Sequence, residues 1–343
     1  MEETRVGIAG RAIAVLMGDP EPSMDAETRL SSTRNRLCVA ISAYVVWRWY
    51  TSKVPKRAGP WGPRWLAKIV ALGMTNLLST NWGFVGKILR ASYEGPPADS
   101  SFDPRQQYMV VWHPHGALTT MAFMHTAIDS IMSKPLSFYC CVASVLFQVP
   151  GLREILQLVS ARKVSAEVVD KLLAAGLNVG IQPGGIPEQL ESDHRREIAV
   201  FPPRLGFVRA AMRYGVPLLP IYIFGENQAY DTSDLGRAFT KRFYALTGFP
   251  APMVFGQYGL PWVVPKSGAY VHVRWGAPVP VGPPNAAPTD AEVEAVFDKY
   301  VAELRQLFDA NKHTCLPPEI AEKGLTIVKR SGSGSAPPSP SKL

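Results

Sequence analysis

The run Tyr108-Met109-Val110-Val111-Trp112 has no polar face, and within four residues it delivers His113, Pro114, His115 and Gly116. Consecutive apolar residues with β-branched members read as a buried strand. Pro114 fixes its own φ and pushes His113 toward extended backbone. Gly116 can turn sharply and admit a ligand close to the main chain, and Ala117 to Met132 then reads as an apolar helix. Histidine is the side chain whose unperturbed pKa lies nearest neutrality, so one held at a strand end suits a general base. The pair also suits satisfied core polar groups, or half of a metal site. Against the metal, the chain has six His, its four Cys are not at zinc spacing, and no H-E-x-x-H occurs.

Further strands read near Tyr108–Trp112, Phe138–Val142, Leu177–Ile181, Leu218–Phe224 and Tyr270–Trp275. Helices read near Ser165–Ala175, Arg204–Tyr214 and Asp290–Ala310, the last opened by a Thr289/Glu292 capping box. Its stripe Val293, Val296, Phe297, Tyr300, Leu304, Leu307 and Phe308 is core packing. Strands and helices alternating at this spacing predict an α/β sheet with helices on its faces. An adjacent Cys140-Cys141 pair among four cysteines is no disulfide framework, which points to a reducing, cytosol-facing setting.

The net charge of +8 is uneven. From Thr28 to Tyr93 there is no Asp or Glu but eleven Lys or Arg, so the rest of the chain nets −3. The same window holds Trp47, Trp49, Trp61, Trp65 and Trp82, five of the eight tryptophans. Basic residues interleaved with indoles around apolar runs suit an anionic bilayer surface. The apolar runs, and the lack of any nucleic-acid motif, argue against nucleic acid as a partner. Leu37–Trp47 is short, and Lys68, Asn76 and Asn81 interrupt Trp65–Phe84, so neither run supplies the roughly 20 apolar residues of a span. A re-entrant or interfacial attachment is therefore expected, with a basic helix packed on the domain as the alternative. The expected organisation is a mobile N-terminus over 1–36, a membrane-associated region over 37–93, a catalytic domain over 94–325 and a disordered Ser/Gly/Pro tail over 326–343.

Two more segments carry chemistry. Gln182-Pro183-Gly184-Gly185-Ile186-Pro187-Glu188 follows a strand, and its glycines permit a tight loop that aims Glu188 into a cleft. Arg204-Leu205-Gly206-Phe207 opens a helix, and Phe224-Gly225-Glu226-Asn227 ends a buried strand. In this order, H-P-H-G, P-G-G-x-x-E, R-x-G-F and F-G-E-N resemble the motifs of the type-2 diacylglycerol acyltransferase family, over about residues 105 to 325. The chain departs from the wider H-x4-D glycerolipid acyltransferases, because Leu118 and Thr120 stand five residues after His113 and His115. The two adjoining hydrophobic spans that the family usually carries before H-P-H-G are shortened or absent here.

The resemblance implies a glycerolipid-acyltransferase-like sheet flanked by helices, with an N-terminal membrane-associated helical region. It implies transfer of a fatty acyl group from acyl-CoA to diacylglycerol, at the endoplasmic reticulum membrane or lipid droplets, with no cofactor and no metal. Monoacylglycerol or a long-chain alcohol is the alternative acceptor, and a non-catalytic lipid-binding relative the alternative class. The loop from Gln182 to Glu188 has no Arg to grip a phosphate, which favours a neutral acceptor. His115 is the expected base with His113 second, and the resemblance implies that Glu188 replaces the missing Asp. Pro114, Gly116, Gly184, Gly185, Arg204 and Asn227 complete the expected substrate-binding set.

Overall fold

The computed structural model describes residues 26–52, 62–79, 89–119, 136–261, 265–266 and 268–331. The chain divides into two compact units, residues 1–55 and 56–343. The first contains helix α1 (Ala26–Ser52), so helix extends well back into the stretch expected to be mobile. Among the described residues no helix is long and apolar enough to cross a membrane.

The second unit is built on a seven-stranded sheet. After α2 (Arg64–Ser79), the chain runs through β1 (Leu89–Glu94), β2 (Met109–His113), β3 (Tyr139–Val142), α3 (Leu152–Leu158), β4 (Ala161–Lys163), α4 (Ala166–Ala174) and β5 (Val179–Ile181). There follow α5 (Gly185–Glu191), β6 (Glu197–Phe201), α6 (Gly206–Tyr214), β7 (Leu218–Phe224), β8 (Asp231–Thr232), α7 (Asp234–Thr247) and β9 (Val254–Phe255). The described chain closes with β10 (Ala269–Trp275), α8 (Asp290–Cys315), α9 (Pro318–Ala321) and β11 (Leu325–Lys329). Sheet order is β1-β10-β7-β2-β5-β3-β4, parallel throughout except where β10 meets β7.

The apolar run around β2 follows from its central place. Met109 and Val111 pack with α4, α6 and α8 residues in one core cluster. Tyr108, Val110 and Trp112 pack with Phe138, Leu219, Ile221 and Val273 in another. Side chains alternate along a strand, so burial on both faces demands an unbroken hydrophobic sequence. The same alternation carries His113 onto the α8 side of the sheet.

Several expected boundaries shift. Leu89–Glu94 pairs with β10 over six residues and so belongs to the sheet, not to a membrane region ending at 93. Leu325–Lys329 pairs in parallel with β6, so the tail expected from 326 begins as strand. Gly185–Glu191 is helix, which puts Glu188 on a helical turn rather than in a loop. Residues 117–119 are not helical, and the remainder of the expected Ala117–Met132 helix lies outside the described residues.

Candidate active site

Strands β7, β2 and β5 are parallel neighbours, so their C-terminal ends bring Phe224, His113 and Ile181 to one edge of the sheet. Open parallel sheets bind ligands at that edge, where the connecting loops meet. The three segments that follow those strands are tied together here.

The first tie is a carboxylate on a backbone. Glu188 is 1% exposed, and its Oε1 accepts the main-chain N–H of His115 at 2.5 Å. Its Oε2 accepts the N–H of Val200 in β6 at 2.7 Å. Gln182 Nε2 donates to the Pro114 carbonyl at 3.4 Å, and Gln189 Nε2 to the Ala117 carbonyl at 2.6 Å. Glu188 therefore meets the histidine turn through its peptide, not through either imidazole. Burial pushes its pKa up to about 8, against the two N–H donors, which favour the carboxylate.

Glycines make these approaches possible. Gly184 has ordinary helical angles, φ −66° and ψ −34°, yet a Cβ there would sit 2.0 Å from Glu188 Oε2. Gly185 has φ +51°, which turns the chain into α5. A Cβ on Gly116 (φ +64°) would lie 2.6 Å from Glu226 Cγ, so the Phe-Gly-Glu-Asn turn packs directly on the histidine turn. Glu226 is itself buried.

The two histidines are held differently. His113 is fully buried, its Nε2 hydrogen-bonded to Tyr300 Oη on α8 at 3.0 Å and its ring tilted against Phe201. Among the described residues its Nδ1 has no hydrogen-bond partner, and desolvation lowers its pKa to about 3. His115 is only partly buried. Its Nδ1 lies 3.1 Å from the Gly116 carbonyl and 3.0 Å from Thr119 Oγ1. Thr119 Oγ1 also donates to the His115 carbonyl at 3.1 Å. A carbonyl can only accept, so Nδ1 carries the proton and Nε2 keeps its lone pair. Desolvation lowers this imidazole to about 4, so it is neutral at physiological pH.

A second buried carboxylate lies beside the first. Glu197 opens β6 and accepts from Tyr222 Oη at 2.6 Å, Gln228 Nε2 at 2.8 Å and Asn227 Nδ2 at 3.0 Å. Burial raises it to about 7, and its charge helps to raise Glu188. Asn227 thus anchors the Phe-Gly-Glu-Asn turn to β6. Arg204 is not brought to this centre: it is exposed and lines a cavity of about 340 Å³ with Pro203, Arg209, Asp290, Val293 and Glu294. Phe207 and Phe224 are core residues.

Sequence reasoning overlooked Tyr300, Thr119 and Glu197. A phenol inside an otherwise apolar helical stripe, and a lone carboxylate heading the apolar run Ile198–Phe201, were the available signals. Among the described residues no group of three or more His, Cys, Asp and Glu is placed to hold a metal ion.

Comparison with known proteins matches residues 97–321 to the family model described as diacylglycerol acyltransferase. Diacylglycerol O-acyltransferase 2 of Dictyostelium discoideum is 29% identical over 238 residues, 64% of this chain and 71% of that protein. Human diacylglycerol O-acyltransferase 2 is 32% identical over 224 residues, 60% of this chain, and the match spans 57% of its own length. Human acyl-CoA wax alcohol acyltransferase 1 is 30% identical over 223 residues, 61% of this chain and 67% of that protein. No solved structure matches. With the matched model spanning six of the seven strands of the sheet and every segment of the buried centre, this chain belongs to the diacylglycerol acyltransferase family.

Proposed function

We propose that this chain is an acyl-CoA-dependent O-acyltransferase that acylates the free hydroxyl of diacylglycerol to give triacylglycerol. The observation that carries the reading is the partly exposed His115, whose Nδ1 is committed to the Gly116 carbonyl and whose Nε2 is left as a base. A glycerolipid hydroxyl is too weakly acidic to attack a thioester unaided at neutral pH. His115 Nε2 takes the hydroxyl proton as the oxygen adds to the thioester carbonyl, a contribution of about 10²–10⁴ in rate. The tetrahedral adduct collapses, the C–S bond breaks, and coenzyme A leaves as thiolate and collects the proton from Nε2. No covalent enzyme intermediate and no cofactor are required. Glu188 fixes the peptide that carries the base.

A neutral acceptor is supported by what the nearby arginines do. Arg195 is engaged by Asp193 and Asp234 at 2.9 Å each, and Arg196 by the Glu191 carboxylate at 3.6 Å. Neither is a free clamp for a phosphate. Attachment to the cytosolic face of the endoplasmic reticulum membrane, and to lipid droplets, is part of the same proposal. It is supported by exposed apolar side chains on α1, among them Val39, Val46 and Trp49.

The test is His115→Ala in full-length protein, supplied with one acyl-CoA and a panel of diacylglycerol, monoacylglycerol, fatty alcohol and lysophosphatidate. The wild type should give triacylglycerol as main product by mass, and the variant none, with membrane attachment intact. Full turnover in the variant removes the base, and preference for lysophosphatidate overturns the neutral acceptor. A main product of wax ester or diacylglycerol reassigns the acceptor.

A further inference from the structure

Helix α7 (Asp234–Thr247) carries an exposed apolar stripe that nothing in the chemistry above uses. Ser233 caps the helix by accepting the Gly236 N–H, and the buried side of α7 is small and polar, with Gly236 and Thr240 turned into the protein. The opposite side is the apolar one. Leu235 is 82% exposed, Leu246 62% and Phe239 48%, with Phe243 stacked on Phe239 at a centroid distance of 6.1 Å. Positions 235, 239, 242 and 246 recur at helical spacing and share one face. That arrangement inverts the usual surface helix, whose apolar stripe faces the core.

The fourth member of the face is Arg242, an exposed cation that makes no ion pair among the described residues. The acidic residue of the helix, Asp234, sits in its first turn and is already paired with Arg195 and Arg237. Lys241 is held by Glu191 at 2.6 Å, which ties α7 to α5, the helix that bears Glu188. Exposed leucines and phenylalanines around an unpaired guanidinium match an anionic lipid surface, where acyl chains receive the apolar side chains and headgroups the cation. A two-fold contact with a second copy fits poorly. It would set Arg242 against its own counterpart, and one helical stripe falls short of the roughly 800 Å² per partner that a stable dimer buries.

We infer that α7 is an interfacial docking helix that inserts Leu235, Phe239 and Leu246 into an anionic lipid surface around Arg242. Docking through α7 places the Glu188 helix next to the lipid. The inference goes beyond the acyl-transfer reading and is independent of which acceptor is used. It concerns residues other than those of the basic, Trp-rich N-terminal region.

The test uses full-length protein carrying Cys38→Ser, which removes the exposed cysteine and leaves the buried Cys140, Cys141 and Cys315. Leu246→Cys, or Glu322→Cys as a control on an exposed position, is labelled with an environment-sensitive fluorophore. Each protein is floated with vesicles of phosphatidylcholine containing phosphatidylserine. The label at 246 should shift to the blue and be quenched by acyl-chain nitroxide, while the label at 322 should do neither. Adding Arg242→Glu should abolish the shift at 246, with the helical circular dichroism unchanged. A label at 246 that stays in water on floated protein overturns the proposal. So does a shift of equal size on phosphatidylcholine alone, which would remove the anionic partner. A blue shift that grows with protein concentration in the absence of vesicles assigns the face to a second copy instead. None of these readouts needs turnover, so failure here is separable from failure of the acyltransferase reading.

Discussion

Gly184→Ala tests the central geometric claim with a single methyl group. The residue has right-handed helical angles, so alanine meets no backbone penalty there. It should even gain about 0.4–1 kcal/mol by restricting the unfolded chain. Sterically the position is closed: the new Cβ would stand 2.0 Å from Glu188 Oε2 and 2.6 Å from Glu188 Cβ. A carboxylate oxygen can swing aside, but its Cβ is fixed to α5, so the Glu188 turn must move. Movement breaks the bonds to the His115 and Val200 N–H groups. A buried N–H left without its acceptor costs about 1–3 kcal/mol, and water cannot replace the carboxyl at so buried a residue. The expected net loss is about 2–5 kcal/mol, read from urea unfolding. Turnover should fall as well, since about 1.4 kcal/mol of lost preorganisation at His115 is tenfold in rate. The double variant Gly184→Ala/Glu188→Gly should exceed Glu188→Gly in stability by about 0.4–1 kcal/mol, because glycine at 188 removes both the carboxyl oxygen and the Cβ that the new methyl would meet. Gly184→Ala with wild-type unfolding and full turnover would refute the packing argument.

Tyr300→Phe leaves His113 Nε2 buried without its partner and should cost about 1–3 kcal/mol in unfolding free energy, with an unchanged value counting against the contact. Gly116→Ala adds the left-handed backbone penalty of about 1–2 kcal/mol to a contact of 2.6 Å with Glu226 Cγ. Glu226→Ala in the same chain should relieve only the contact, so turnover and unfolding should recover in part. Stability should depend on pH in two opposing ways. His113 and His115, lowered from 6.5 to about 3 and 4, leave the unfolded chain binding more protons, so they destabilise as pH falls below 6.5. Glu188 and Glu197, raised from 4.5 to about 8 and 7, destabilise as pH rises above 4.5, so urea midpoints should be level between those values and decline on either side.

Much of this fold was legible because its signals are local. The strand at Leu218–Phe224 is read to the residue, since a fully apolar run between Pro217 and Gly225 admits one interpretation. The Thr289 capping box is present as read, with the side chain accepting the Glu292 N–H. Strands whose identity depends on a distant partner were not legible. Leu89–Glu94 carries Arg90, Ser92 and Glu94 and is held by pairing with residues some 180 positions later. Leu325–Lys329 reads as tail until β6 offers it an edge. The helix over 185–191 was hidden by Gly185 and Pro187, whose usual meaning is a turn; Pro187 falls in the first helical turn, where its missing N–H costs nothing.

The candidate site divides along the same line. Residue types and order name the histidine turn and Glu188, but not which atoms meet. A carboxylate some seventy positions from a histidine invites comparison with a triad, in which the acid grips the imidazole. In this molecule both oxygens of Glu188 accept peptide N–H groups, one from the histidine turn and one from β6. The imidazole of His115 is oriented from within its own turn, by the Gly116 carbonyl and Thr119. Glu188 therefore acts on the base at one remove, as a clamp between β2 and β6. That division of labour explains why a local Asp partner is dispensable. The tautomer is set by a backbone carbonyl, and the acid is left to hold the backbone that carries it. It also accounts for two glycines at 184 and 185: one leaves room for the carboxylate to fold back, and the other turns the chain so that it can.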